Sequence, residues 1–349
     1  METAIVFKIG VLAILSFAIA IVSTPLLTHF LYKYKLGKQI RDASTAPIFA
    51  SLHKDKEGTP TMGGILIWVT VLVLALVFYV LHLLFPDSII GQLNFLSREE
   101  TLLPLGIFVL AAIIGLVDDY LGVRRIGPKG GGFGVLYRLG LYTVIAAVGA
   151  LWFYFKLDWD IIHIPFVGSY LIGWWYIPVF IFILVATAFS VNETDGLDGL
   201  AGGTMATTFA ALGAFCFAEG KFELAAFCAV IMGALLAFLW FNINPARFFM
   251  GDTGAMGLGI TIGIIAMLTN TALLLPIIGF IFLAETVTVI IQMTSKKLRH
   301  KKIFLSTPIH HHFQAIGWSE PKIVMRFWLI SAITAVIGVV IFLIDKGWY

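Results

Sequence analysis

Long apolar runs alternate with short polar segments along almost the whole chain, and ten of these runs are of membrane-spanning length. A transmembrane α-helix needs about 20 mainly apolar residues. We therefore predict an all-α, polytopic integral membrane protein with about ten transmembrane helices. The predicted crossings lie near residues 9–31, 62–85, 102–117, 135–155, 172–190, 200–217, 224–241, 255–273, 275–293 and 323–344.

The division between the eighth and ninth crossings depends on a short polar interruption. Only Thr269, Asn270 and Thr271 separate two apolar runs there, and Pro276 indicates a turn or a kink. If the two runs formed one helix, the last crossing would reverse its direction.

Lysine and arginine predict the orientation of the chain, because short loops rich in these residues stay in the cytoplasm. With the N-terminus outside, most of the 23 lysines and arginines fall on the cytoplasmic face. Those that fall on the outer face are Lys8, Arg98, Lys156, Lys221 and Lys346. We therefore predict that both termini lie outside, which requires an even number of crossings.

The composition excludes a soluble globular protein. Hydrophobic residues make up 60% of the chain and charged residues 12%, against roughly 45–50% and about 25% in soluble domains. Ten crossings leave no room for a separate soluble domain, so we predict one transmembrane domain over residues 1–349. Its cytoplasmic segments are predicted near residues 32–61, 118–134, 191–199, 242–254 and 294–322.

Two further features narrow the class of protein. The formal net charge of +3 is too small to indicate binding of nucleic acid. Cys216 and Cys228 lie in apolar stretches without neighbouring histidines or carboxylates, which predicts core packing and neither a disulfide nor a thiolate metal site.

Five aspartates lie at three predicted cytoplasmic helix ends: Asp118, Asp119, Asp195, Asp198 and Asp252. A single aspartate at a helix end is most often a cap, but ionised groups beside apolar runs are costly unless they are paired, hydrated or metal-bound. Five of them beside glycines on one face favour a functional site.

The spacing of these aspartates indicates their ligands. Asp195 and Asp198 would share one face if a helix began there, and the adjacent glycines would let a hydroxylated or base-bearing ligand approach the backbone. Asp252 precedes a glycine-rich helix start, which favours a phosphate and its counter-cation. Carboxylate oxygens in this setting suit Mg²⁺ or Mn²⁺.

Three adjacent histidines, His310, His311 and His312, follow a basic stretch over residues 296–302. They could not all face one ion in a helix, so we predict phosphate-binding donors and no structural zinc site. The basic stretch is equally typical of an anchor to anionic lipid headgroups, and both interpretations are compatible. Glu285 lies within an apolar helix, either as a satisfied carboxylate at a kink or as a ligand.

Five motifs in this order carry a family resemblance: Gly-Thr-Pro-Thr-Met-Gly-Gly at 58–64, Asp-Asp at 118–119, Asn-Glu-Thr-Asp-Gly-Leu-Asp-Gly at 192–199, Phe-Met-Gly-Asp-Thr-Gly at 249–254, and Pro-Ile-His-His-His-Phe at 308–313. Together they resemble the bacterial phospho-N-acetylmuramoyl-pentapeptide transferase family, also called translocase I, over about residues 37–330. The 307–313 run, with Gly317-Trp318 and residues 326–328, distinguishes this family from the wider polyprenyl-phosphate sugar-1-phosphate transferase superfamily.

The resemblance implies a ten-helix enzyme of the bacterial inner (plasma) membrane, usually a homodimer, with its active site in a cytoplasmic cleft. Such an enzyme transfers phospho-MurNAc-pentapeptide from UDP-MurNAc-pentapeptide to undecaprenyl phosphate, and forms lipid I and UMP with Mg²⁺ in peptidoglycan synthesis. The resemblance also implies a ninth helix that is broken near Glu285.

The resemblance further implies roles for individual residues. Asp252 would be the main magnesium ligand with Asp118, which would also deprotonate or attack, and Asp119 would support them. His310 and His311 would act in catalysis at the diphosphate or sugar. The implied substrate-binding residues are Lys56, Thr61, Asn192, Asp195, Gly196, Leu197, Asp198, Asn242, Phe249, His312 and Lys129.

One position departs from the family pattern. The family has a lysine three residues after the second aspartate of the pair, whereas this chain has Gly122. Either Arg124 and Arg125 replace that charge, or Lys129 or Arg138 makes the phosphate contact.

Two other functions stay open from the sequence. One is a related transferase that uses another UDP-sugar, such as UDP-GlcNAc. The other is a cation-coupled transporter, which would place acidic residues near the bilayer midplane between interrupted helices. Because the acidic residues cluster on one face here, the sequence disfavours the transporter.

Overall fold

A computed structural model of the chain describes residues 2–37, 56, 58–98, 100–128 and 131–347. Within these residues nine single helices are long and apolar enough to cross a membrane, and a bent pair of helices makes a tenth span. The prediction of an all-α protein with about ten crossings is therefore confirmed. The helices are α1 (Glu2–Lys33), α2 (Ile65–Leu84), α3 (Leu102–Val123), α4 (Val135–Lys156), α5 (Tyr176–Thr194), α6 (Leu200–Ala218), α7 (Phe222–Asn242), α8 (Gly251–Leu268), α9 (Leu275–Ile278), α10 (Phe280–Arg299), α11 (Ile309–Ala315) and α12 (Glu320–Asp345).

Helix α8 forms the centre of the bundle. It packs against α3 on one side and α5 on the other, and every residue of α8 except Asp252 is buried. Since no face of α8 is exposed to lipid, its glycines and alanines serve close packing between helices. The single accessible side chain of this helix is thus the carboxylate in its first turn.

The bent span is α9 together with α10, which meet at Gly279 at an angle of 87°. The predicted interruption at residues 269–271 is confirmed, because α8 ends at Leu268 and a 3₁₀ turn covers Ala272–Leu274. Pro276 occupies the first turn of α9, where its missing N–H is tolerated. The break itself lies six residues before Glu285, which is a position on α10.

The helix ends differ from the predicted ones around the acidic residues. Helix α3 continues to Val123, so Asp118 and Asp119 belong to its last two turns and not to a loop. No helix begins at Asp195 and Asp198. Instead α5 ends at Thr194 and α6 begins at Leu200, and both aspartates lie in the tight connection between them.

A β-hairpin at the opposite end of the bundle was not predicted. Strands β1 (Ile161–Ile164) and β2 (Gly168–Leu171) pair antiparallel in the connection between α4 and α5. The hairpin is tied to the end of α12, because Nε2 of His163 lies 2.6 Å from Oδ2 of Asp345 and the Phe166 N–H donates to Oδ1.

Glycines allow the backbones of α2 and α3 to touch the start of α8. A Cβ at Gly64 would overlap the backbone of Gly254, and a Cβ at Gly115 would overlap the backbone of Asp252. The N–H of Gly64 donates to the carbonyl of Met250 at 2.9 Å, which fixes this approach. The first turn of α8 is therefore clamped by neighbouring main chain.

Two glycines of α3 provide a test of this clamp. We expect Gly115→Ala to lower the thermal unfolding midpoint, because overpacking against rigid backbone costs about 1–3 kcal/mol. Gly122→Ala and Gly122→Lys should leave the midpoint unchanged or raise it, since nothing lies within 4 Å of a Cβ there and a helical glycine is about 1 kcal/mol less favourable than alanine.

The measurement is thermal unfolding of the purified variants in one detergent. An unchanged midpoint for Gly115→Ala, or an equal loss at both glycines, would contradict a backbone clamp at the start of α8.

Candidate active site

Two carboxylates and a guanidinium meet where α3, α4 and α8 converge. Nε of Arg138 lies 3.8 Å from Oδ2 of Asp118, and its Nη1 lies 3.4 Å from Oδ1 of Asp252. One guanidinium thus faces both carboxylates. Asn192, in the last turn of α5, accepts from Nη1 of Arg138 at 3.0 Å and donates to Asp252. The Phe133 N–H donates to Asp118.

This acidic centre is incompletely neutralised. Two carboxylates face one guanidinium, and both contacts are longer than the 2.7–2.9 Å of a strong charge-assisted hydrogen bond. The Asp118 side chain is 3% exposed whereas that of Asp252 is 23% exposed. A cation or a phosphate that reached the centre would therefore meet Asp252 first.

The donor set fits Mg²⁺ bound in part by a substrate. Magnesium is commonly held by one or two carboxylates together with substrate phosphates and water. Asp118 and Asp252 supply two carboxylates, and Asn192 holds the second of them in place. Over the described ranges no group of three histidine, cysteine or acidic side chains converges as a metal site.

Asp119 points to the start of α8. Its Oδ2 accepts from the Thr253 N–H at 3.0 Å, and its Oδ1 accepts from the Thr61 hydroxyl at 3.4 Å. A carboxylate at the N-terminus of a helix satisfies free N–H groups and favours the positive end of the helix dipole. Asp119 and Thr61 thus join α3 and the entrance of α2 to the turn that carries Asp252.

The connection between α5 and α6 is held by its two aspartates. Oδ2 of Asp195 accepts from the Gly251 N–H at 3.2 Å. Oδ2 of Asp198 accepts from the Asn244 side chain at 2.9 Å and from the Ala246 N–H at 3.1 Å. The connection is therefore anchored to the segment that precedes α8.

Lys56 completes the surroundings of Asp198. Its Nζ lies 2.6 Å from Oδ1 of Asp198 and 2.5 Å from Oε1 of Glu320, and it stands 5.8 Å from the centroid of the Phe249 ring. Glu320 also accepts from the Asp198 N–H at 2.6 Å. Glu320 was not predicted from the sequence, because ordinary helices also begin with an acidic residue before a proline.

Asn242 and Leu197 are buried next to these anchored segments. The Asn242 side chain accepts from the Gly199 N–H at 2.9 Å and donates to the Phe248 carbonyl at 2.8 Å. Leu197 belongs to a small apolar cluster with residues of α6, α10 and α12. Both residues stabilise the loops around the candidate site.

The three histidines point in different directions from α11, as a helix requires. His310 is fully buried, with its Nδ1 2.9 Å from Oε2 of Glu285. His311 pairs with Oε1 of Gln314 at 2.9 Å, and Nδ1 of His312 accepts from the Leu305 N–H at 3.3 Å. Burial, with a smaller effect of the Lys56 charge, lowers the pKa of His310 to about 3. The His310 ring is therefore neutral at physiological pH.

Among the alternatives for the charge missing at Gly122, Arg138 lies at the acidic centre. The exposed guanidinium of Arg124 stacks on the Tyr120 ring instead, at 5.4 Å from its centroid. Lys129 lies outside the described residues.

Taken together, the described residues place a partly exposed acidic centre at one end of the bundle, beside a loop frame built from Asp195, Asp198 and Lys56. Such an arrangement can hold a divalent cation and the phosphates of a nucleotide, and stabilise charge that develops during phosphoryl transfer. The acidic residues lie at helix ends, unlike the midplane carboxylates of the transporter alternative.

Comparison with known proteins agrees with this chemistry. A model described as glycosyl transferase family 4 matches residues 101–270, and signature 1 of phospho-N-acetylmuramoyl-pentapeptide-transferase matches residues 56–67.

A phospho-N-acetylmuramoyl-pentapeptide-transferase from Chloroflexus aggregans is 39% identical over 329 residues, which cover 90% of this chain and 84% of the relative. Another from Shouchella clausii is 40% identical over 333 residues, with 94% and 95% covered. A third, from Bacillus anthracis, is 38% identical with 93% and 95% covered. The chain belongs to the phospho-N-acetylmuramoyl-pentapeptide-transferase family.

Proposed function

We propose that this protein transfers phospho-MurNAc-pentapeptide from UDP-MurNAc-pentapeptide to undecaprenyl phosphate, and so forms lipid I and UMP in peptidoglycan synthesis. The observation that carries the proposal is the under-neutralised pair of Asp118 and Asp252 beside Arg138 at a membrane-helix end. The names of relatives that cover almost the whole chain favour this nucleotide sugar over UDP-GlcNAc.

Asp252 and Asp118 would hold Mg²⁺ in the working enzyme. The bound ion would neutralise charge on the substrate phosphates and on the departing UMP. Arg138 reaches both carboxylates, and its planar guanidinium is suited to turn toward a phosphate once a cation takes its place. The two anionic substrates then meet with less repulsion.

The transfer is a displacement at one phosphorus atom. An oxygen of the lipid phosphate forms a bond to the sugar-proximal phosphorus, the bond from that phosphorus to the bridging oxygen breaks, and UMP leaves with the electron pair. The lipid phosphate is already mostly ionised at pH 7, since the second pKa of a phosphate monoester is about 6. Asp118 is therefore needed to position groups and not to remove a proton.

The surroundings of Asp118 favour direct attack by the lipid over a phosphorylated aspartate. Its side chain is 3% exposed, one oxygen accepts from the Phe133 N–H, and the other faces Arg138. A carboxylate nucleophile needs an unshielded oxygen in line with the phosphorus. We therefore propose a one-step reaction.

The frame next to the acidic centre would bind the nucleoside part of the substrate. Phe249 offers a half-buried ring, and Lys56 and Asp195 offer charge beside the backbone of Gly196. Ring stacking and hydrogen bonds to a base or ribose suit these groups.

The proposed activity places the protein in the bacterial inner membrane, with the acidic end of the bundle in the cytoplasm, where nucleotide sugars are made. The positive charges of the 296–302 segment agree with that orientation. Formation of a homodimer, which the family resemblance implies, stays a prediction.

The first test is reconstitution of the purified chain with both substrates and Mg²⁺. We expect a lipid-linked product and one UMP per product from UDP-MurNAc-pentapeptide, and neither from UDP-GlcNAc. Without undecaprenyl phosphate we expect no UMP, because direct transfer needs the acceptor.

Two results would contradict parts of this proposal. Product from UDP-GlcNAc alone would contradict the substrate. Release of up to one UMP per enzyme without lipid, with a sugar phosphate bound to the protein, would contradict the one-step route.

Asp252→Asn tests the acidic centre. We expect kcat to fall about 10³-fold or more, because charge stabilisation by a bound metal is worth several kcal/mol and each 1.36 kcal/mol is tenfold in rate. The thermal unfolding midpoint should stay within a few degrees, since the amide oxygen can still accept from Asn192.

Asp87→Asn, which removes an exposed carboxylate outside the membrane helices, is the matched control and should keep the wild-type rate. A Mg²⁺ dependence and a rate close to wild type for Asp252→Asn would count against the role of Asp252.

Orientation is tested with single cysteines at the two ends of the bundle. Val167→Cys, in the exposed hairpin turn, should react with a membrane-impermeant thiol reagent in intact spheroplasts, whereas the exposed Lys302→Cys should react only after lysis. The native Cys216 and Cys228 are buried and should not interfere. The reverse pattern of labelling would show that the orientation is inverted.

A further inference from the structure

A buried acid–imidazole pair lies beneath the candidate site. Glu285 on α10 and His310 on α11 each have side chains that are 0% exposed. Oε2 of Glu285 lies 2.9 Å from Nδ1 of His310 and also accepts from the His310 N–H at 3.4 Å. The carboxylate thus contacts the ring of His310 and accepts a hydrogen bond from its backbone N–H, while neither ring nitrogen has a hydrogen-bond partner among the described residues.

The other edge of the imidazole is covered by Gly196. A Cβ added at Gly196 would overlap Nε2 of His310, and that nitrogen is buried without a hydrogen-bond partner among the described residues. The ring therefore lies directly against the backbone of the connection between α5 and α6. No substrate atom could touch Nε2 while Gly196 stays in this place.

Gly196 lies between the two anchoring aspartates of that connection. On one side Asp195 accepts from the Gly251 N–H, next to Asp252. On the other side Asp198 binds Lys56 and the Ala246 N–H. A shift of Gly196 would therefore change the positions of groups on both sides of the proposed nucleoside pocket.

We propose that Glu285 and His310 are positioning residues: Glu285 fixes the His310 ring, and the ring supports the Gly196 turn that places Asp195 and Asp198. This inference rests on the proposed function, and it assigns to His310 a role beneath the site in place of contact with the diphosphate or sugar. A neutral ring is sufficient for this role, which agrees with the buried position of His310.

The central experiment combines Gly196→Ala with His310→Ala. Each single variant should raise the KM for UDP-MurNAc-pentapeptide at least about tenfold and leave the KM for undecaprenyl phosphate unchanged. In the double variant the methyl group of residue 196 enters the space that the ring has left. The KM and the thermal unfolding midpoint should therefore recover beyond both single variants.

Gly106→Ala is the matched control, since a Cβ at this helical glycine meets nothing within 4 Å. On its own it should leave the KM and the thermal unfolding midpoint at their wild-type values. Combined with His310→Ala, it should not restore either value.

Glu285 is tested by a conservative and a non-conservative change. Glu285→Gln keeps an oxygen that accepts from His310, so its KM should stay within about threefold of wild type. Glu285→Leu removes that acceptor and should reproduce the KM of His310→Ala, with little further change when the two are combined.

Two outcomes would overturn the proposal. A double Gly196→Ala, His310→Ala variant no better than His310→Ala in KM and unfolding would show that the contact does not position the turn. Recovery of unfolding without recovery of turnover would show that the imidazole itself touches the substrate. If wild type formed no lipid-linked product, the proposed function would fail, while the unfolding measurements would still test the packing of the pair.

Discussion

The site depends on how closely main chain can approach the first turn of α8. Gly64 of the α2 entrance and Gly115 of α3 leave no space for a side chain against Gly254 and Asp252. Backbone contact of this kind is rigid, because it contains no rotamers that could adjust. The carboxylate of Asp252 is therefore the one accessible group on an otherwise buried helix, and its position is set by neighbours on two sides.

The carboxylates around the acidic centre are paired more closely than those at the centre itself. Asp198 has a lysine at 2.6 Å, and Asp119 accepts a backbone N–H at 3.0 Å. At the centre the contacts of Arg138 to Asp118 and Asp252 are 3.8 and 3.4 Å. Charged groups near a membrane are costly when unpaired. Close pairing of the surrounding carboxylates keeps that cost low and lets the protein tolerate one loosely paired centre. A charged substrate gains most binding free energy at this centre.

Much of the fold was predictable because it follows from the length and hydrophobicity of the apolar runs in the sequence. Ten apolar runs gave ten spans, and polar residues at 269–271 marked the division between the eighth and ninth of them, whereas the break before Glu285 was expected only from the family resemblance. The helix ends were less predictable, since α3 and α5 extend through Asp118 and Asn192 without a change in periodicity. A membrane helix that is apolar on both its packed and its exposed faces carries little amphipathic signal that could mark its end.

The candidate site was predictable where one motif carries both the residue and its local geometry, as at Asp252 in the first turn of α8. It was not predictable where partners come from distant segments. Glu320 meets Lys56 across 264 residues, and Glu285 meets His310 across the rest of α10 and a loop. Sequence spacing reports neighbours on one helix face, whereas these pairs exist only after α10, α11 and α12 have packed.

Neighbouring residues of one motif serve different purposes, because they meet different partners in the folded structure. Within the triple histidine, His310 is sealed against Gly196 while His312 remains partly exposed. Within the aspartate pair, Asp118 faces Arg138 while Asp119 caps α8. Adjacent residues on a helix point about 100° apart, so two neighbours in a motif have different surroundings. One of them is available to hold the structure that positions the other.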